Sequence, residues 1–461
     1  MNPSPQKRPR SDTTTTTTST DTTWSNLKEW IRSTEGGFCH ESLTWDATTR
    51  RLSTLTALEA DTRLLVIPAA CCVTATDDAT LAWTLVTQST QLYKAYWDSL
   101  QPVAAIYKAL PRAWPTALQT TCLQGSPLLA RVQAQPSQIQ AAYDRLKETH
   151  AATSLSNMPT LSEFDQALAV VTSRAFAGPN PTTTCCVPLL DLCNHTRGRK
   201  NLRYAWDGGM LVVHTVRPLA AGAPCVITYG AQSNAQLLLN YGFCLENNRE
   251  PDGSSNDIVE FSTNAANDSV DDKPILLRLG PPSYTYGPLV KVLEALGPVG
   301  GQKDEDNSND EGGDGNDGGD DDMDDMEAFL NGCEEDNEDA CDDACLYTAP
   351  TSGPENDGKD DEAEDQKSFD KQALRAFLER LEALLQAYPK TLVTQPDASR
   401  TRYANILLQS EQEILRFYQT VSQRILERLM VDNEKTMAVL PDAHAQQLIE
   451  AFFRIRYTML L

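Results

Sequence analysis

The sequence predicts an α+β chain in which a β domain is interrupted by a helical insertion and followed by an all-α domain. Short strand-like runs lie before residue 81 and again from residue 184 onwards. Apolar residues at helical spacing fill the region between them, about 81–177, and return over 369–461. Because strands and helices do not alternate, the pattern argues against a βαβ fold with a parallel sheet.

Two β features are the clearest. RLLVIP, residues 63–68, is a short apolar run that ends at a proline and is typical of a buried strand. NLRYAW and MLVVHTV flank Asp207-Gly208-Gly209, which is a strong signal for a hairpin turn. We therefore place a β domain over residues 24–250, including the helical insertion, and a helical C-terminal domain over 251–300 and 369–461.

The charge of the chain is concentrated in one segment. The 461 residues carry a formal charge of -25, yet Gly301 to Ser368 alone holds 27 acidic residues against 3 lysines, a net of -24. The remainder has 37 acidic and 36 basic residues and is almost neutral. With few apolar residues to bury, 301–368 is predicted to be a disordered insertion. A solvated insertion is the favoured interpretation, and recruitment of a basic protein substrate is the alternative.

The first 23 residues, rich in Thr and Pro, are predicted to be a disordered tail. Folded sequence is expected to begin at Trp24, in a helix with Ser25 as its N-cap. Lys7-Arg8-Pro9-Arg10 fits a nuclear import signal and a solvated basic tail about equally well. We expect a cytosolic or nuclear protein, since no secretory leader or apolar stretch of the roughly 20 residues that span a bilayer is visible.

Twelve cysteines occur without a regular disulfide or metal-binding spacing. Cys71-Cys72 and Cys185-Cys186 lie in apolar runs that predict buried strands with free thiols. A reducing compartment and no metal site are therefore expected.

Three short motifs concentrate polar and aromatic residues: SRAF at 173–176, VPLLDLCNH at 187–195 and ITYGAQSNAQLLLNYGF at 227–243. Taken singly, each residue has an ordinary structural explanation. Asp191 and Asn194 suit a turn, His195 suits a satisfied core histidine, and Tyr229 and Tyr241 suit core aromatics.

Together and in this order, the motifs resemble the SET-domain methyltransferases, above all the Rubisco large-subunit methyltransferase class. The resemblance rests on four blocks, together with AYPKTL and SEQEIL near the C-terminus: Asp191-Leu192-Cys193-Asn194-His195, Ile227-Thr228-Tyr229-Gly230, Ser233-Asn234-Ala235-Gln236 and Tyr241-Gly242-Phe243. It covers nearly all of 24–461 except the acidic segment. The predicted fold is thus a SET-type β domain with a helical insertion, followed by an all-α C-terminal domain.

The resemblance implies a role for each motif residue. Tyr229 would be the catalytic tyrosine beside the methyl-transfer channel. S-adenosylmethionine would be bound by Arg174, Asp191, Asn194, His195, Tyr241 and Phe243. Asn194 and His195 would act mainly through their backbone, and Asp191 would hold the turn that presents Asn194. Tyr241 and Tyr204 would line the substrate channel, and the glycines of the Tyr-Gly pairs would let backbone approach the cofactor.

The expected function is an S-adenosylmethionine-dependent protein-lysine N-methyltransferase that acts on a non-histone protein as a monomer, without binding nucleic acid or membranes. A protein-histidine N-methyltransferase is one alternative, although the actin-histidine branch has Arg where this chain has Gln232. An inactive SET module that binds partner proteins is another. It is motivated by Thr49-Arg50-Arg51-Leu52, which stands where the family has its glycine-rich cofactor loop.

Overall fold

A computed structural model of the chain describes residues 17–46, 51–89, 92–151, 158–262, 274–297, 359–391, 393–394, 398–431 and 440–458. The chain divides into two compact units. The first comprises residues 1–106 and 142–229, and the second comprises 107–141 and 230–461. This division differs from the predicted domain 24–250. Residues 107–141 and 230–250 join the second unit because their apolar side chains, Trp114 and Leu238 among them, pack into the core of that unit.

The helices are α1 (Thr17–Ser33), α2 (Asp78–Gln88), α3 (Lys94–Leu100), α4 (Val103–Ala109), α5 (Thr116–Cys122), α6 (Leu128–His150), α7 (Leu161–Arg174), α8 (Asn234–Tyr241), α9 (Pro282–Leu296), α10 (Lys359–Ala387), α11 (Ala398–Leu429) and α12 (Ala443–Thr458). The strands of the first unit are β1 (Phe38–Cys39), β2 (Leu43–Asp46), β3 (Arg51–Thr54), β4 (Arg63–Pro68), β5 (Val73–Ala75), β6 (Ala175–Ala177), β7 (Thr184–Cys186), β8 (Asn194–His195), β9 (Leu202–Asp207), β10 (Met210–Thr215) and β11 (Val226–Ile227). The second unit has β12 (Ile258–Phe261) and β13 (Ile275–Arg278). No described helix is long and apolar enough to cross a membrane.

The first unit is built on small sheets. β1, β4, β10 and β9 form a four-stranded antiparallel sheet in that order, β5-β7-β6 form a second sheet, and β8 and β11 pair in parallel. Leu211, Val213 and Thr215 of β10 are buried while the residues between them are partly exposed, as expected of a half-buried strand. The predicted hairpin is confirmed, and Gly208 and Gly209 adopt the positive φ values of 55° and 79° that its turn requires.

Helix α7 places Arg174 directly before β6, a strand of the β5-β7-β6 sheet. It begins with a capping box in which Thr160 and Glu163 exchange hydrogen bonds, and it buries Phe164 and Leu168 at helical spacing. It ends at Arg174, after which the chain enters β6 directly.

The second unit has a core of apolar side chains from its helices, including the fully buried Phe377, Tyr418 and Phe452. The helical pattern predicted over 369–461 is confirmed by α10, α11 and α12. The prediction that 251–300 is all-α is wrong, because β12 and β13 pair there as an antiparallel hairpin. These strands have four residues each, too few to give a clear periodic pattern in the sequence.

Other local predictions need correction. Helix α1 begins at Thr17, so part of the predicted tail 1–23 is helical and Ser25 is an internal residue rather than an N-cap. Residues 359–368 of the predicted disordered segment belong to α10. Cys71 lies in a 3-10 turn rather than a strand, although the four cysteines of the two pairs are buried free thiols as predicted. The predictions for 1–16, for the cofactor loop at 49–50 and for 301–358 lie outside the described residues.

Candidate active site

The centre of the site is a tight turn in the first unit, at residues 187–193. The Asp191 amide donates to the Val187 carbonyl at 3.1 Å, and the Cys193 amide donates to the Leu190 carbonyl at 3.0 Å. Leu189 has a φ of +71°, a conformation that is costly for a side chain with a Cβ and must be held by its surroundings. Leu189 is fully buried, so packing supplies that support.

Asp191 anchors this turn from inside the protein. Its side chain is fully buried. The Arg174 Nη1 atom donates to the Asp191 main-chain oxygen and lies 3.4 Å from its Oδ2. The hydroxyl of Tyr96, a fully buried residue of α3, donates to Asp191 Oδ2 at 2.9 Å. Asp191 therefore links the turn to α3 and to Arg174 at the end of α7.

The turn leads into β8, where Asn194 and His195 pair with Val226 and Ile227 of β11. Asn201 fixes the start of β11, because its side chain donates to the Pro224 carbonyl and accepts from the Val226 amide. Asn194 is exposed.

Tyr229 follows β11 and is fixed to the same segment at two points. Its hydroxyl donates to the Cys193 carbonyl at 2.7 Å, and its amide donates to His195 Nδ1 at 2.9 Å. The Tyr229 and His195 rings lie 5.1 Å apart between centroids. Gly230 follows with a φ of +87°, which explains the first Tyr-Gly pair as a backbone requirement.

The electrostatics of these two rings are defined by burial. Burial and the nearby Arg197 lower the pKa of His195 to about 4, so the imidazole is neutral at physiological pH. Burial raises the pKa of Tyr229 well above its usual range, and Arg174 offsets only part of that effect. Tyr229 therefore keeps its proton at neutral pH.

Tyr204 lies on the edge strand β9 and is 38% exposed. Its ring packs edge-on against Phe176 of the SRAF motif, with centroids 5.5 Å apart. Trp206, two positions along the strand, donates from its indole nitrogen to the Ala177 carbonyl at 3.1 Å. The structure thus places Tyr204 in an aromatic cluster with the residues that follow Arg174.

Tyr241 and Phe243 belong to the second unit, where their ring centroids lie 6.1 Å apart. The residues between the two Tyr-Gly pairs form α8, which starts with a capping box of Ser233 and Gln236. Gly242 ends this helix in the left-handed conformation with a φ of +76°. A side chain at Gly242 would meet the Cβ of Ala109 at 2.8 Å. Capping and close packing therefore account for this glycine without an approach of backbone to cofactor.

Six of the predicted site residues thus lie in the first unit, whereas Tyr241 and Phe243 lie in the second. The six are Arg174, Asp191, Asn194, His195, Tyr204 and Tyr229. Tyr96, Asn201 and the Cys193 carbonyl were not predicted. Tyr96 lies in QLYKAYWDSL, a run with apolar residues at helical spacing, but no local pattern connects it to Asp191. Within the described ranges, no group of three or more His, Cys, Asp or Glu side chains is arranged to hold a metal ion.

Comparison with solved structures identifies the fold. A structure of Rubisco LSMT bound to AdoMet aligns with a TM-score of 0.59 and 16% identity, covering 89% of this chain and 93% of that one. The SET domain of LSMT bound to lysine and AdoHcy aligns with a TM-score of 0.60 and 15% identity, covering 89% and 92%. The predicted fold class, a SET domain with a helical insertion and a helical C-terminal region, is confirmed.

Sequence comparison gives shorter matches. Actin-histidine N-methyltransferase from Rattus norvegicus is 26% identical over 156 residues, which are 31% of this chain and 26% of the relative. The enzyme of that name from Canis lupus familiaris is 35% identical over 66 residues, 14% of this chain and 11% of the relative. The aligned part therefore spans only a tenth to a quarter of these curated relatives. No family model matches the chain.

Proposed function

We propose that this chain is an S-adenosylmethionine-dependent protein methyltransferase that modifies lysine in a non-histone protein. The observation that carries the proposal is the double attachment of Tyr229 to the segment 193–195, through the Cys193 carbonyl and the His195 ring. This attachment brings together the residues that the family resemblance assigns to catalysis and to cofactor binding. The similar fold of Rubisco LSMT structures that contain AdoMet supports the choice of cofactor.

The chemistry of the described side chains fits a cationic sulfonium cofactor. His195 is neutral and the Asp191 carboxylate compensates the charge of Arg174, so these groups add little net positive charge. The Arg174 Nε atom is buried and has no hydrogen-bond partner among the described residues, which leaves one N–H for a cofactor carboxylate. The exposed Asn194 gives a ligand access to this strand. We assign Arg174, Asn194 and His195 to cofactor binding on these grounds.

The bound cofactor would supply a methyl group that its sulfonium already activates, so the protein mainly has to align the reactants and exclude water. The Tyr229 hydroxyl donates to the Cys193 carbonyl, and a phenolic oxygen is also able to accept an N–H from a substrate amine. The amine would have to be neutral, because only its free lone pair can form the new N–C bond while the methyl–sulfur bond of the cofactor breaks. The positive charge of the cofactor sulfonium would lower the pKa of a nearby lysine amine from its usual value of about 10.4 and so favour the neutral amine.

A protein-histidine N-methyltransferase is the second candidate. The curated relatives of this chain are actin-histidine N-methyltransferases, which favours histidine, whereas one similar structure is described as bound to lysine. A tyrosine that accepts an N–H serves an amine and an imidazole equally well. We prefer lysine because the aligned region in the LSMT structures covers most of the chain, and the aligned region in the histidine enzymes does not.

The test is transfer of labelled methyl from S-adenosylmethionine to proteins of a cell extract, followed by mass spectrometry of the modified peptides. The expected result is labelled lysine with wild type and at least about tenfold less label with Tyr229→Phe. A residue that carries three methyl groups identifies lysine, and a methylated imidazole identifies the histidine alternative. Label that appears equally with Tyr229→Phe would contradict the assigned role of the tyrosine.

An inactive SET module that binds partner proteins remains the third candidate, since Thr49 and Arg50 occupy the cofactor-loop position in the sequence. A folded wild-type chain that neither binds the cofactor nor transfers label would favour it.

We further propose that the protein acts in the cytosol or nucleus, where Lys7-Arg8-Pro9-Arg10 would serve as an import signal. Fluorescence microscopy with and without that segment tests this.

A further inference from the structure

Tyr96 is a buried polar residue that the proposed mechanism does not use. It lies on α3, is among the largest side chains with no solvent exposure, and donates its hydroxyl to Asp191 Oδ2 at 2.9 Å. A buried hydroxyl requires a partner, but a main-chain carbonyl would satisfy it. The partner is instead a carboxylate at the centre of the candidate site, 95 positions away in the sequence.

From Asp191 a short series of hydrogen bonds leads to the catalytic tyrosine. The Asp191 amide donates a hydrogen bond to the Val187 carbonyl, and the Cys193 amide donates one to the Leu190 carbonyl. These two hydrogen bonds form the turn. The next contact is the 2.7 Å hydrogen bond from the Tyr229 hydroxyl to the Cys193 carbonyl. Any change in the orientation of this turn therefore moves the acceptor that holds the Tyr229 hydroxyl.

The turn needs external support because one of its residues is strained. Leu189 has a φ of +71°, and such a conformation persists only when neighbouring contacts fix it. Arg174 and Tyr96 both donate hydrogen bonds to Asp191. Arg174 also belongs to the proposed cofactor contacts, whereas Tyr96 is fully buried and does not reach solvent.

We propose that Tyr96 is a positioning residue, which holds the Asp191 turn so that the Cys193 carbonyl and the segment 193–195 are preorganised for cofactor and for Tyr229. This inference rests on the proposed function for its consequence in catalysis. Its structural part, the support of residues 189–195, does not depend on that function.

Tyr96→Phe removes only the hydroxyl and keeps the buried ring. Tyr143→Phe is the matched control, because the Tyr143 hydroxyl is also buried in the first unit and donates at 2.9 Å, but to the Pro159 carbonyl. Both variants lose a buried hydrogen bond and should lower the melting temperature, Tyr96→Phe by the larger amount because its acceptor is a carboxylate. Only Tyr96→Phe should affect the turn.

Amide hydrogen exchange of the peptide covering 187–195 provides a measurement without cofactor. Exchange in Tyr96→Phe should be roughly fivefold faster than in wild type, the factor expected for loss of one net hydrogen bond. Tyr143→Phe should leave this peptide unchanged. Equal exchange in all three proteins would overturn the inference.

Titration of S-adenosylhomocysteine by calorimetry provides the functional measurement. We expect binding to Tyr96→Phe to be weaker by roughly two- to tenfold, and binding to Tyr143→Phe to equal wild type. Equal weakening in both variants would assign the effect to general destabilisation and contradict the proposal. If wild type fails to bind, the proposed function fails, while the exchange measurement still decides the role of Tyr96.

Discussion

Glu411 offers a quantitative test of the packing in the second unit. Its side chain is only 3% exposed and accepts hydrogen bonds from Ser126 at 2.9 Å and from Tyr388 at 3.1 Å. Burial raises the pKa of Glu411 to about 8, against 4.5 for an ordinary glutamate. The two hydroxyl groups lower it in part, and the nearby Asp257 and Glu260 raise it further. The carboxyl is therefore neutral in the folded protein at pH 7.

The sign of the pH dependence follows from this difference. Because the folded state holds its proton more tightly than the unfolded state, the contribution of Glu411 to stability is fully present below about pH 4.5 and is lost as pH rises through about 8. Each unit between the two pKa values is worth about 1.4 kcal/mol, so the full change in the free energy of unfolding amounts to roughly 5 kcal/mol.

Glu411→Gln removes this titration and keeps the shape of the neutral acid, since its amide can accept from one hydroxyl and donate to the other. We expect the variant to match wild type at pH 5 and to be more stable by a few kcal/mol at pH 9. Denaturant unfolding at both pH values measures the difference. Glu413→Gln is the matched control, because Glu413 is an exposed residue two positions along the same helix. A stability difference for Glu411→Gln that does not change between pH 5 and pH 9 would show that Glu411 does not titrate between these pH values in the folded protein.

Two further substitutions have defined outcomes. Tyr229→Phe should lower methyl transfer by at least about tenfold while cofactor affinity changes little, because the hydroxyl acts on the substrate amine; kinetics and calorimetry together would contradict this if both quantities fell equally. Gly242→Ala should lower the free energy of unfolding by roughly 1–3 kcal/mol. The alanine would have to keep the positive φ of 76°, and its Cβ would lie 2.8 Å from the Cβ of Ala109. Gly208→Ala, with a φ of 55° and open space around it, should cost about 1 kcal/mol or less, and equal losses in the two alanine variants would disprove the steric explanation.

Several elements could be predicted because their signals are local. The hairpin at Asp207-Gly208-Gly209 and the strand Arg63–Pro68 follow from turn residues and apolar runs that need no distant partner. The amphipathic helices α10, α11 and α12 follow from their periodicity alone. The ordered motifs likewise identified Arg174, Asp191, His195 and Tyr229, which the structure gathers in one unit.

Other features depend on tertiary contacts that no local pattern records. Tyr96 reaches Asp191 from another helix, and its partner is fixed only by the packing of α3. Gly242 is a helix cap packed against Ala109, and its sequence context gave no means to distinguish this from an opening for cofactor. The assignment of residues 107–141 to the second unit likewise depends on which core their apolar side chains enter.

Calorimetric titration of S-adenosylmethionine into the full-length wild-type chain is the decisive test of the proposed cofactor site. We expect saturable binding at one site with a dissociation constant in the micromolar range, supported by the segment 193–195 and Arg174. Absence of binding by protein that circular dichroism shows to be folded would contradict it, and the partner-binding module would become the leading explanation of this fold.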